Sequence, residues 1–162
     1  MVTRRRFLAL LGAAGATAGG VALGISLLPG GDASEASGPP EVRYGESRCD
    51  TCGMVIADPR FAAGWRTPDG EAARFDDIGC MVVLMQEQDP PAGSAFYVHD
   101  YTSEEWLDAT TASYVASAEI RSPMMYGLAA TGSPEAASAL GTEVSGTGFD
   151  WVGLLGSVER KG

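Results

Sequence analysis

The sequence predicts an α+β fold made of two similar strand-strand-helix-strand units, and three observations carry that prediction. A turn signature, Pro68-Asp69-Gly70, separates two short extended runs. Two segments carry helix start and stop signals, Asp76-Asp77 to Pro90-Pro91 and Ser133-Pro134 to Gly141. Each of these helices is followed by a further strand-like run.

In chain order, Ala62 to Thr67 and Glu71 to Phe75 flank the turn and form a β-hairpin. "IGCMVVLMQEQ" follows the two aspartates, is apolar through its middle and meets a proline pair just beyond, which predicts a buried helix of about three turns. "AFYVHDY" alternates as a strand, with Phe96, Val98 and Asp100 on one side and Tyr97, His99 and Tyr101 on the other. "EEWLDATTASYVAS" and "AEIRSPMMYGLAATG" contain short extended runs. In "SPEAASALG", Ser133 is the N-cap, Pro134 the first helical residue and Gly141 the stop. "FDWVGLL" reads as a closing strand. Identity between the halves is too slight to establish a repeat from sequence.

A chain of 162 residues holds one domain of ordinary size, or two very small ones sharing a core, and its 45% hydrophobic content is enough for a packed interior. A net charge of -10 excludes the basic footprint of a nucleic-acid binder. Ten of the 11 basic residues are arginine and Lys161 is the single lysine, against 21 acidic residues. Such a surface fits a protein kept hydrated in concentrated salt, and we expect a halophilic source; an ordinary acidic secreted protein is the alternative.

Residues 1–31 read as a twin-arginine export signal. Arg4-Arg5-Arg6-Phe7-Leu8 opens a weakly apolar stretch that ends at Pro29-Gly30-Gly31. Residues 7–28 are long enough to cross a bilayer, but their Gly and Ala content makes an uncleaved anchor the less favoured reading. No cysteine precedes Cys49, so no lipid attachment site is expected at the end of the signal. Without Arg4, Arg5 and Arg6 the basic count falls from 11 to 8 against 21 acidic residues, a balance of -13. Residues 32–46, rich in Ser, Gly, Pro and Glu, read as a flexible tether, and 47–162 as the folded domain.

Chemistry concentrates in "SRCDTCGMVIAD", residues 47–58. Beyond the signal the chain offers three thiols, Cys49, Cys52 and Cys80, five thioethers, Met54, Met81, Met85, Met124 and Met125, and one imidazole, His99. Zinc usually needs four closed ligands. A second short-spaced pair is missing, so structural zinc is not favoured. Cuprous copper is soft and accepts few thiolate and thioether ligands. If Cys52-Gly53-Met54 is extended, thiolate and thioether fall on one side, and Gly53 lets the backbone approach an ion.

Met81 and Met85, spaced i and i+4, read as core filler, and Cys80 on the same helix as a small buried hydrophobe. Met124 follows Pro123 in a loop, where ligand and core readings weigh about evenly. His99 in a strand reads as a packing residue more than as a ligand.

With these residues in hand, the chain resembles the NosL family of copper chaperones serving nitrous oxide reductase assembly. The resemblance rests on "CDTCGM" at 49–54, "FDDIGCM" at 75–81, "YVHDY" at 97–101, "WLDATTASYV" at 106–115 and "SPMMYG" at 122–127. It implies an extracytoplasmic, membrane-tethered carrier of Cu(I) with paired strand-strand-helix-strand units, a fold distantly similar to organomercurial lyase. Carried over by position, Cys52 and Met54 are the copper thiolate and thioether, and Met124 is a second thioether. Cys49 and His99 also fall on motif positions. The sequence departs from the family pattern in lacking a lipid cysteine, and in placing Met125 where glycine is frequent.

The expected function is therefore delivery of copper to a cuproenzyme, nitrous oxide reductase by the resemblance, and not catalysis. The rival is a thiol-disulfide oxidoreductase using Cys49 and Cys52. Redox pairs of that kind usually open a helix, whereas Gly53 to Ile56 reads as a bend entering a strand, and Asp50 is expected to raise the thiol pKa. A carbon-mercury lyase using two thiols near Asp76 is the least favoured reading.

Overall fold

The computed structural model describes residues 38–158. The expected export signal therefore lies outside the described residues. Among those described, no helix is long and apolar enough to cross a membrane.

The hairpin forms as the turn signature dictates. Strand β1 is Ala63–Arg66 and β2 is Ala72–Phe75, paired antiparallel with Ala63 opposite Phe75. Gly70, at φ +93°, donates its N–H to the Thr67 carbonyl at 3.0 Å, and Thr67 N–H reaches the Glu71 carbonyl at 2.8 Å. A positive φ there is what glycine supplies.

Helix α1, Ile78–Gln88, starts where Asp77 accepts from Gly79 N–H at 2.9 Å. It stops where Asp89 turns left-handed ahead of the two prolines. All residues from Ile78 to Leu84 are buried, because the helix packs on β1 and β2 and also meets a strand of the second half. Strand β3, Ala95–His99, pairs antiparallel with β1, and β4, Trp106–Asp108, adds beyond it, giving the order β2-β1-β3-β4.

The second half repeats the plan. Strands β5, Ser113–Ala116, and β6, Leu128–Thr131, pair antiparallel; helix α2, Pro134–Glu143, follows; and β7, Thr147–Phe149, returns to the other edge of β5. The order β6-β5-β7 matches β2-β1-β3, so both units place their first strand in the centre. Asp100 joins the sheets: it bridges to Ala130, and its carboxylate accepts from Gly132 N–H at 2.8 Å.

Two sequence expectations are corrected. Gly141 does not stop α2, which runs on to Glu143; it is buried against Gly146, whose N–H it receives at 2.7 Å, so its small size serves packing. "FDWVGLL" is not a strand. Thr147–Phe149 pairs as β7, and Asp150 then caps a helix α3, Trp151–Ser157, by accepting from Gly153 N–H at 2.9 Å. Helix α3 sets Trp151 between Phe96 of β3, at 5.5 Å between ring centroids, and Tyr114 of β5, at 6.4 Å. Its apolar run reads as a strand because it covers both units at once.

Of the residues read as a tether, 38–46 lie along the first sheet. Pro40 is buried over Gly64, Arg66 donates to the Gly38 and Pro39 carbonyls, and Arg74 to that of Glu41 at 2.6 Å.

Candidate metal centre

The Cys-X-X-Cys segment is a closed loop. Arg48 bridges to Val55, Cys49 N–H donates to the Met54 carbonyl at 2.8 Å, and Gly53 N–H to the Cys49 carbonyl at 2.9 Å. Gly53, at φ +75°, makes the reversal. The extended Cys52-Gly53-Met54 segment expected from the sequence is thereby corrected: a turn, not strand alternation, sets these side chains. Cys52 turns inward while Met54 is 48% exposed.

Two anchors fix the loop. Asp50 exchanges hydrogen bonds with Arg74 of β2, its N–H to the carbonyl at 2.9 Å and its carboxylate from the Arg74 N–H at 2.7 Å. Thr51 Oγ1 donates to the Cys80 carbonyl in the first turn of α1 at 2.9 Å. The thiols of the loop are thus pressed against the start of that helix.

There the structure gathers four donors. Cys49, Cys52, Cys80 and Asp76 each place one ligand atom within 4.8 Å of the others. Cys49 and Cys80 are buried, Asp76 is 1% exposed, and Cys52 is half-buried with its Sγ 3.4 Å from Asp76 Oδ1. All three cysteines are free thiols.

The hydrogen bond from the Cys80 thiol holds Cys49 down to about 7, against the desolvation of its site. The same bond, with burial, pushes Cys80 up. Burial pushes Cys52 up to about 11. The Asp50 carboxylate, which the sequence led us to expect would raise the thiol pKa, accepts from the Arg74 backbone N–H. A metal ion binding there would displace the protons that Cys52 and Cys80 hold more tightly than a free thiol.

Cys80 and Asp76 are the members of this cluster that sequence reasoning did not place there. An apolar helix hid Cys80, although a third cysteine left over from a Cys-X-X-Cys pair was itself a signal. Asp76, directly before the N-cap, is indistinguishable by sequence from a capping residue.

Met124 lies in the loop beside this cluster. Its N–H donates to Asp77 Oδ2 at 3.0 Å, so the residue capping α1 also holds the Pro-Met loop. Met124 is half-buried against the main core, while Met125 is 52% exposed at φ +59°, a left-handed backbone in which glycine is at ease.

His99 is not among the gathered donors. Its Nδ1 is 2.7 Å from the Glu104 carbonyl and so carries the proton, its Nε2 accepts from the Tyr44 hydroxyl at 2.7 Å, and its ring lies 3.8 Å from that of Trp106.

Comparison with known proteins adds two findings. A family model described as NosL matches residues 43–152. The crystal structure of the copper chaperone NosL from Shewanella denitrificans superposes with a TM-score of 0.56 at 16% identity, covering 69% of this chain and 94% of that one, which shows a shared fold. No curated protein matches.

Proposed function

Because the chain belongs to the NosL family, we propose that it carries cuprous copper outside the cytoplasm and hands it to a cuproenzyme, with nitrous oxide reductase as the acceptor. The observation that carries this reading is the convergence of three thiols behind a methionine at the surface. Cuprous ion is satisfied by two or three soft donors.

Exposure is graded along these donors. Met54 is 48% exposed and Cys52 half-buried, whereas Cys49 is 3% and Cys80 1% exposed. An ion arriving at Met54 meets Cys52 next and the inner thiols last, and it leaves by the reverse route. Each incoming ligand replaces one donor, so no free ion is released. Met124, held beside the cluster by Asp77, supplies a second thioether. The run Arg4-Arg5-Arg6-Phe7-Leu8 ahead of a weakly apolar stretch, which reads as a twin-arginine export signal, supports the location.

The test is anaerobic titration with cuprous ion, with sulfur X-ray absorption to count donors. Thiolate and thioether contributions are expected together, and Cys52→Ser and Met54→Ala each weaken binding. Equal affinity in the double variant would sink the carrier reading.

One observation favours a second reading: a thiol near neutrality beside two others is suited to disulfide exchange. Cys49 is only 3% exposed, however, which bars a protein disulfide from its sulfur. Turnover of a model disulfide that disappears in Cys49→Ser would favour that enzyme.

A further inference from the structure

On the flank of the thiol loop, the charge is opposite to that of the chain. Residues 38–158 hold six arginines and no lysine, in a sequence of net charge -10. Three of the six converge on one pocket of about 240 Å³, lined by Glu41, Arg43, Ser47, Arg48 and Arg74. It lies at the outer edge of β2, where Asp50 pairs with the Arg74 backbone, and along the segment that leads to Met54. Three positive groups face a single carboxylate in its lining.

These arginines are only partly engaged. Arg48 donates one terminal nitrogen to the Gly53 carbonyl at 3.0 Å, and Arg74 donates its Nε to that of Glu41 at 2.6 Å. Arg43 meets the Glu46 carboxylate at 3.8 Å, with both side chains 72% exposed. Among the described residues neither Arg48 nor Arg74 has an ion pair. Bonds to backbone carbonyls orient a guanidinium without neutralising it, and its remaining donors suit bidentate capture of a carboxylate.

Beside the pocket the surface turns apolar. Met54 and Val55 are exposed, and Val55 bridges to Arg48. Arginine around an exposed methionine is the composition of a protein interface. An anionic membrane is less well matched, because it would meet the rest of an acidic chain, whereas a concave pocket with Glu41 in its wall admits a single side chain.

We infer that Arg43, Arg48 and Arg74 hold a carboxylate-bearing segment of the protein that takes copper from Met54. That the partner is a copper acceptor rests on the carrier reading; that the pocket takes a protein carboxylate does not. An acidic partner is repelled by the chain as a whole and drawn in at this pocket, which selects the orientation that brings Met54 to the acceptor's ligands.

The experiment titrates the reduced, metal-free full chain with a fluorescent oligoglutamate peptide, with oligoglutamine as control. Oligoglutamate alone is expected to bind. Arg43→Gln with Arg48→Gln should weaken it about fivefold or more, as the loss of two ion pairs implies. Glu41→Gln, which removes the carboxylate of the lining, should tighten it, whereas Glu135→Gln, the same charge change on α2, should not. With the copper-loaded chain, the double variant should slow transfer to an oligoglutamate peptide extended by a methionine pair, at unchanged cuprous affinity.

Equal binding of the two peptides overturns the inference, as does unchanged oligoglutamate affinity in the arginine variant. Arginine-dependent binding to phosphatidylglycerol vesicles or to inorganic phosphate, without binding to the peptide, overturns it as well. Should the double variant fail to fold by circular dichroism, Arg43→Gln alone and Glu41→Gln still decide. Peptide binding that follows these substitutions in a chain that ignores cuprous ion would uphold the carboxylate pocket and sink the carrier reading alone.

Discussion

Cys49 receives the Cys80 hydrogen bond, and its pKa of about 7 lies below the 9.0 of a free thiol. A group whose folded pKa is depressed favours the fold at alkaline pH, and its contribution is lost as the pH falls through 7. In the metal-free protein, ultraviolet thiolate absorbance should show one step centred near pH 7, absent in Cys49→Ser; a first step near 9 would contradict the assignment. Asp77 illustrates a second residue-scale dependence, because one buried carboxylate caps α1 and holds the Met124 N–H. Losing a cap is worth about 1 kcal/mol and stranding a buried N–H about 1–3. Asp77→Ala should therefore lower stability by roughly 2–4 kcal/mol in urea unfolding, and weaken cuprous binding through Met124. Sequence made the capping legible from Asp76-Asp77 before an apolar run. It did not separate the roles of the two aspartates, which depend on where a distant loop arrives.

At the scale of elements, Gly79 shows how a helix accommodates its neighbour. Alanine in a helix is about 1 kcal/mol better than glycine, but a Cβ at Gly79 would fall within the ring of Tyr126. Displacing that ring displaces the loop carrying Met124, and overpacking of this kind costs about 1–3 kcal/mol. The unfavourable effect wins: Gly79→Ala should unfold at lower urea concentration and bind cuprous ion more weakly, whereas an increase in stability would mean that Tyr126 moves freely. Elements with local signals were legible from sequence, namely the Pro68-Asp69-Gly70 hairpin, α1 between its aspartates and prolines, and the Ser133-Pro134 start of α2. Helix α3 was not, because "WVGLL" is too short to display a helical period and its cap, Asp150, stands where a strand residue was expected. The four-donor cluster was half legible for a related reason. Cys49 and Cys52 are neighbours in sequence, but Cys80 and Asp76 join them only through the docking of the loop on α1.

Over the whole molecule, the two units share a strand order and are joined by the Asp100 bridge and by the aromatic contacts of Trp151, so their stability is expected to be common. A chain with 21 acidic residues against 11 basic ones opposes this compactness by self-repulsion. Ion pairs such as Arg60 with Asp58, at 2.7 Å, relieve it only locally. Salt screens such repulsion over a length of about 10 Å at 0.1 M and about 3 Å at 1 M, so most of the relief should arrive below molar concentration. Thermal unfolding of the metal-free protein should then rise by several degrees between low salt and about 1 M potassium chloride, a gain of ~1 kcal/mol corresponding to roughly 4 °C for a domain of this size. Potassium chloride is the right salt for the measurement, since sulfate would also strengthen apolar burial. A melting temperature indifferent to potassium chloride would mean that the acidic residues stand too far apart to repel, and would remove the physical ground for a halophilic origin.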